Sequence, residues 1–277
     1  MLQYEFMRLA FVAGLMLGIA IPLVGSTNVY KRLSMSGDAL AHTSLAGVAI
    51  GLAAGFSPLV SSIIFCVVAF LIIEFLRRRF PRFSELGVAI VLSFGIGVAG
   101  IASSFASSAN FDSYLFGSIL LIGWEELAAI GALLIAVVVF YIFFYWRIFY
   151  LVYDEDEARI NGIGVSLISF FQSLLTALTI AISAKIIGSL IVSSLLVVPV
   201  ASAILLNQSY KKTLFLSVLF SLASVIVGLV VSFYWDFRPG ATIVVSSLVF
   251  LIATMLFQQG RKTIHRYLSR KGKTHAR

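Results

Sequence analysis

Long stretches without a single charged residue alternate along the chain with short polar gaps. The uncharged runs are Leu9 to Tyr30, Ala39 to Ile73, Leu86 to Phe111, Leu127 to Trp146, Ile163 to Ala184, Ile186 to Tyr210, Thr213 to Trp235 and Pro239 to Gly260. A helix crosses the hydrocarbon core of a bilayer in about 20 apolar residues, and a charge at its centre costs on the order of 2.5–3.5 kcal/mol on insertion scales. Each run therefore reads as at least one membrane-spanning helix. The second is too long for one pass, and Gly55-Phe56-Ser57-Pro58 places a turn near its middle, because Pro lacks a donor and disfavours helix in the residue before it. The pattern predicts about nine spans in an all-α, polytopic membrane bundle. Ser113 to Trp124 is apolar but short, and suits a re-entrant or interfacial piece better than a crossing.

The positive charges orient this array. Lys31 and Arg32; Arg77, Arg78, Arg79 and Arg82; Arg147 and Arg159; Lys211 and Lys212; and the seven Lys and Arg from Arg261 to Arg277 all fall in alternate gaps, which makes 17 of the 20. Only Arg8, Lys185 and Arg238 remain for the other face. With nine spans the positive-inside rule puts the N-terminus outside and the C-terminus in the cytoplasm. A full crossing by the Ser113 piece would break that bias halfway along. Trp124, Trp146 and Trp235 sit at run ends, as an interfacial aromatic belt requires. The first run could pass for a secretory signal, but Glu5 offsets Arg8 and no small-x-small cleavage site follows, so it reads as a retained span.

Composition changes the picture little: 60% hydrophobic residues, 12% charged and a mean hydropathy of +1.05 exceed what one water-soluble core can bury. The expected organisation is one transmembrane domain over 1–260 and a basic cytoplasmic tail over 261–277. The net charge of +8 is concentrated in that tail and points to anionic lipid headgroups rather than nucleic acid. The single Cys66 lies inside an apolar run, so it reads as core packing.

Few residues carry chemistry. Asp38 and His42 open the second span, and the i, i+4 spacing puts carboxylate and imidazole on one helix face, a common way to offer two metal ligands from one rigid element. Ionisable groups inside membranes usually mark transport paths. The plain alternative is that Asp38 caps the helix N-terminus and His42 donates to a neighbouring carbonyl. Gly47, Gly51 and Gly55, each four apart on the same helix, form a small-residue stripe that allows close helix packing. Asp154, Glu155, Asp156, Glu157, Ala158, Arg159, Ile160, Asn161 and Gly162 form the one dense acidic cluster, which reads either as a solvated loop or as a short docking helix ended by Gly162. Pro199 interrupts the span at Leu195 to Ala201 and predicts a kink, with gating as its candidate role.

Other motifs fail. Gly272-Lys273-Thr274 looks like the end of a phosphate-binding loop, but Tyr267 stands where the first Gly is needed, so no nucleotide site is expected in this chain. No G-x-S-x-G occurs, which disfavours an intramembrane serine protease.

Taken together, these residues resemble the permease subunit of bacterial zinc, manganese and iron ABC importers. Asp38 to Ala49 is similar to that family's D-x-x-x-H-x-x-L-x-G-V-A signature and Tyr114 to Ile119 to its Y-L-F-G-S segment. Asp154 to Gly162 resembles its cytoplasmic D-E-D-x-A loop, and Val192 to Pro199 its V-S-x-x-x-V-x-P stretch. The likeness runs from about residue 10 to 257. It implies a transport subunit rather than an enzyme, in the bacterial cell membrane. The implied assembly is a homodimeric pore with a cytoplasmic pair of ABC ATPases that hydrolyse ATP and an extracytoplasmic metal-binding protein. In the family the Asp and His of the signature line the metal path, which maps to Asp38 and His42. Leu45-Ala46-Gly47 replaces the L-P-G common in manganese-type members and Phe116-Gly117-Ser118 is nearer zinc-type ones, so Zn2+ is the expected cargo ahead of Mn2+ or Fe2+. A secondary transporter would show inverted repeats in matching halves, which nine spans fit poorly. A membrane scaffold remains as a non-transport reading, and a siderophore or heme permease gives no reason for the ligand pair.

Overall fold

The turn at Gly55 to Pro58 shows how local chemistry divides the chain. Gly55 ends the preceding helix in a left-handed conformation with φ 72°, Ser57 is extended, and Pro58 opens the next helix. This is the asymmetry expected of Gly just past a helix and Pro at its first position. The computed structural model describes residues 4–80, 84–105, 122–153, 155–160, 164–206 and 208–274. They form α1 (Glu5–Tyr30), α2 (Ser34–Ala54), α3 (Pro58–Arg79), α4 (Ser84–Ser103), α5 (Trp124–Phe143), α6 (Tyr145–Tyr153), α7 (Glu155–Ile160), α8 (Val165–Ile187), α9 (Ser189–Leu205), α10 (Tyr210–Trp235) and α11 (Pro239–Thr274). No strand occurs among the described residues.

Seven helices, α1, α3, α4, α5, α8, α10 and α11, are long and apolar enough to cross a membrane. The other two runs fall on α2, which carries Asp38 and His42, and on α9, which is only 17 residues long. The expected short segment at Ser113 to Trp124 lies outside the described residues up to 121, and Trp124 itself opens α5.

Three boundaries differ from the charge pattern. The break between α8 and α9 is at Gly188, with φ 100°, and α8 continues through Lys185. A lysine sustains a helix well, whereas glycine alone reaches this backbone region at little cost. The gap after Trp146 contains α6, which the charge pattern does not mark, and α7, which takes the helical one of the two readings of the acidic cluster. At the C-terminus α11 runs unbroken past residue 260, so the backbone carries no break between the span and the basic tail.

The interior is built around α1 and α2. α1 packs on α5, α8, α9 and α10, while α2 packs on α3, α4, α8 and α9. Large apolar side chains on the outer faces of α3, α4, α10 and α11, such as Phe75, Phe94, Phe215 and Phe257, are exposed, as lipid-facing surfaces must be. The interior is not wholly apolar. α8 turns a stripe of Ser169, Gln172, Thr176, Thr179 and Ser183 inward, all buried, at alternating spacings of three and four that follow one helix face. Many interior hydroxyls donate to the carbonyl one turn back in their own helix, including Thr43 to Ala39, Thr176 to Gln172, Thr179 to Leu175, Ser224 to Phe220 and Ser246 to Thr242. Others bridge helices: Tyr141 Oη lies 2.6 Å from Thr27 Oγ1 and accepts from Gln172 Nε2 at 2.9 Å, tying α5 to α1 and α8.

Candidate functional site

α2 starts at Ser34 with Leu33 as its N-cap residue, and no side chain caps it. Asp38 is therefore in the second turn of the helix and has no capping role. His42 follows one turn later, and its Nε2 lies 3.9 Å from Asp38 Oδ1. At 1.5 Å per residue His42 is about 12 Å along a helix of about 31 Å. His42 donates to no carbonyl among the described residues, so neither plain alternative is realised in this fold.

The two side chains are 46% and 21% exposed, on a helix whose neighbours Gly37, Ala39, Leu40, Ala41 and Thr43 are all buried. Both side chains thus reach the surface of the protomer. Two donors each about 2.1 Å from a tetrahedral ion stand about 3.4 Å apart, so a small rotation of either side chain brings this pair to one ion. The pair is incomplete alone: among the described residues no three His, Cys, Asp or Glu groups converge on a metal site.

Close backbone approaches hold this stretch of α2 from three sides. On α9, Leu196 fills the space over Gly37, where an added Cβ would lie 3.1 Å from Leu196 Cδ2; the Leu196 carbonyl occupies the position a Cβ would take on Gly25 of α1. On α4, Gly95 abuts Thr43, with a Cβ position 3.0 Å from the Thr43 nitrogen. On α3, Gly47 meets Ser61 and Ser62 at 2.6 and 2.8 Å from its Cβ position, Gly51 meets Ser61 Oγ at 2.9 Å, and Ser44 and Ser62 hydroxyls are 2.9 Å apart. Gly55 differs from the stripe reading. Nothing lies within 4 Å of its Cβ position, and its use is the left-handed helix end.

On the face of α2 turned away from Asp38, Ser36 and Leu40 border a small cavity of about 20 Å³ with Asn28, Glu74, Arg77 and Thr176, room for about one water. Glu74 and Arg77 pair across it at 2.7 Å. Arg77 Nη2 and Lys31 Nζ donate to Ser169 Oγ at 3.4 and 3.1 Å, so α1, α3 and α8 are joined where α2 begins. The charge pattern treats Arg77 and Lys31 only as orientation signals, and Glu74 carries no sequence motif.

Glu155 to Ile160 forms α7, with Ala158 buried and Glu157 exposed; Asp154, Asn161 and Gly162 lie outside the described residues, as do the side chains of Glu155, Asp156 and Arg159. α6 leads into it through an aromatic cluster. Tyr30, Phe149, Tyr153 and Tyr210 have ring centroids 4.8–6.1 Å apart, anchoring α6 to α1 and α10. Pro199 is buried inside α9, one turn from Leu196, and α9 continues through it.

This chain is 42% identical over 263 residues to a "Probable metal transport system membrane protein" of Treponema pallidum, covering 94% of this chain and 99% of that one. It is 28% identical to the high-affinity zinc uptake system membrane protein ZnuB of Haemophilus influenzae, over 94% of this chain and all of that one. It is also 28% identical to the manganese transport system membrane protein MntC of Listeria monocytogenes, over 95% and 98%. Among solved structures, PsaBC from Streptococcus pneumoniae in complex with Fab superposes with a TM-score of 0.82 at 24% identity, over 91% of this chain and 92% of that one. The sequence model of the ABC 3 transport family matches residues 3–258, nearly the whole bundle with the Asp38 helix at its centre, and the chain belongs to that family.

Proposed function

We propose that this chain is the membrane subunit of an ATP-driven zinc importer, in which two copies form the translocation path. One observation carries the reading: Asp38 and His42 are presented together, 46% and 21% exposed, within a stretch of α2 from Ser36 to Ala49 in which every other residue is buried. Two donors are half of what tetrahedral zinc takes, so a second copy across an axis would bring the set to four. Family membership and the names of the curated relatives support metal transport. Zinc and manganese relatives are equally similar, and the zinc assignment rests on the sequence around Gly47 and on the preference of mixed nitrogen and oxygen sites for zinc over manganese.

The proposed orientation follows the positive charges. The N-terminus is outside, the tail from residue 261 lies at the cytoplasmic surface, and α7 faces a cytoplasmic ATPase dimer. An extracytoplasmic binding protein delivers the ion at the opposite face. ATP-driven closure of the partner subunits pushes on α7, and α6 with its aromatic anchor passes that push to α1 and α10 as a rigid-body rocking of the bundle. The Pro199 kink is the candidate gate, since α9 bears on both Gly25 and Gly37 beside Asp38.

The test is zinc uptake by cells carrying Asp38→Ala or His42→Ala at unchanged protein level. Both should lose uptake, and normal uptake removes the pair from the path. Charge reversal at Glu155 and Asp156 should uncouple ATP hydrolysis from transport; full co-purification with normal turnover counts against the docking role. Metal stimulation of ATPase activity in the reconstituted complex decides the cargo, and stimulation by manganese without zinc moves the assignment.

A further inference from the structure

A groove of about 660 Å³ opens on the outside of the bundle where α1, α5, α6 and α10 meet. Leu23, Val138, Ile142 and Leu214 form its apolar bed, Trp146 stands beside them, and Lys211 is the only charged residue among the described residues that line it. Ile142 and Trp146 are each 69% exposed, and Lys211 is exposed and takes no ion pair or hydrogen bond within the described residues. An apolar trough that ends in an ammonium group without an anion beside an amphipathic indole matches a molecule with a negative head and a hydrocarbon body.

We propose that this groove binds one anionic phospholipid of the cytoplasmic leaflet, with its phosphate on Lys211, its glycerol region beside Trp146 and an acyl chain along Val138, Ile142 and Leu214. Charge argues against a second copy of this chain as the occupant. A two-fold contact sets the same patch of both copies together, and so would bring two Lys211 ammonium groups into one interface. Lipid supplies both halves of the complement in one molecule, and basic recesses between spans on the cytoplasmic side are a recurrent setting for such headgroups. The leaflet rests on the orientation proposed above, while the site itself does not. A lipid seated here would brace the junction of α5 and α6, from which the chain continues to α7.

The experiment is native mass spectrometry of the full-length chain in micelles titrated with phosphatidylglycerol or phosphatidylcholine. The wild-type chain should retain phosphatidylglycerol in preference. Lys211→Ala should weaken that retention about fivefold, the equivalent of the roughly 1 kcal/mol that one lysine contributes near an anionic surface. Lys212→Ala removes the same charge from the next position, outside the groove, and should leave retention within twofold. Trp146→Ala should loosen phosphatidylglycerol without abolishing its preference over phosphatidylcholine. Equal losses from Lys211→Ala and Lys212→Ala, or equal retention of the two lipids by the wild type, would overturn the proposal. So would efficient disulfide cross-linking of Ile142→Cys between two copies, which would make the groove a subunit interface. No arm reads metal uptake, so a failed importer assignment leaves this result standing.

Discussion

Replacing Gly47 by alanine should loosen the α2–α3 contact and disturb His42, five residues back on the same helix, and with it the proposed ligand pair. The added Cβ would stand 2.6 Å from the Ser61 carbonyl oxygen, 2.8 Å from Ser62 Cα and 2.9 Å from Phe65 Cβ, where ordinary contact begins at 3.4 Å. None of these atoms is the tip of a flexible side chain. The helices must therefore part by about 0.8 Å, the difference between 3.4 and 2.6. Overpacking of this kind costs about 1–3 kcal/mol, against which alanine's better helix propensity returns about 0.8–1 kcal/mol. Gly97 isolates that second effect, because nothing lies within 4 Å of its Cβ position on α4. The difference between Gly47→Ala and Gly97→Ala measures the clash alone, and should be about 1–3 kcal/mol, or roughly 2–4 °C in Tm per kcal/mol for a chain of this size. Thermal unfolding of the purified chain in detergent reads the stability, and zinc uptake reads the site. Gly51→Ala provides a contrast, since its nearest obstacle is the Ser61 hydroxyl at 2.9 Å with Pro58 Cα and Ser61 Cβ at 3.1 Å, so adding Ser61→Ala should relieve it in part but leave Gly47→Ala unrescued. Equal Tm values for Gly47→Ala and Gly97→Ala would refute the reasoning, because the helix contact would then be soft where the geometry makes it hard.

Two more outcomes follow from the buried polar groups. Arg77→Ala removes one partner of the largely buried Glu74 carboxylate and one donor to Ser169 and should destabilise by about 1–3 kcal/mol, and the double variant Arg77→Leu with Glu74→Leu should recover most of it; denaturant titration of the four species reads the cycle. Tyr141→Phe removes one hydrogen-bond partner of Thr27 and one of Gln172, which keeps the Val24 carbonyl. Interhelical hydrogen bonds in membranes average about 0.6 kcal/mol, but two polar groups lose a partner here, so about 1–2 kcal/mol is expected in the same assay.

The bundle was legible in the sequence because a bilayer leaves a helix few alternatives: an apolar run of sufficient length has only one way to satisfy its backbone. The turn at Gly55 to Pro58 was equally plain, since both residues act through their own backbone geometry. Lys185 misled because charge marks where a chain meets water or a partner, whereas Gly188 marks where the backbone can turn. α6 was hidden for a related reason, whereas the acidic cluster had left α7 open as a short docking helix. Residues 147–159 are too polar to count as a span, and a helix of nine residues leaves no long apolar run. Asp38 and His42 stood out as polar groups in an apolar setting, but what holds them did not. Gly25, Gly37 and Gly95 serve as seats for Leu196 and Thr43, and a seat is defined by a neighbour that only the fold supplies. The α8 stripe from Ser169 to Ser183 did leave a signal in its spacing. Hydropathy averaging erases such a signal, because serine and threonine dilute an apolar run without interrupting it.

The hydroxyls that bond one turn back along their own helix bear on how the protein is made. Thr43, Thr179, Ser224 and Ser246 carry their acceptors with them, so each helix can leave the translocon and enter lipid as a finished unit before any neighbour arrives. Tyr141 and Gln172 cannot, since their partners sit on other helices. During biogenesis that three-way join of α1, α5 and α8 can close only after α8, the last of them along the chain, has entered the bilayer.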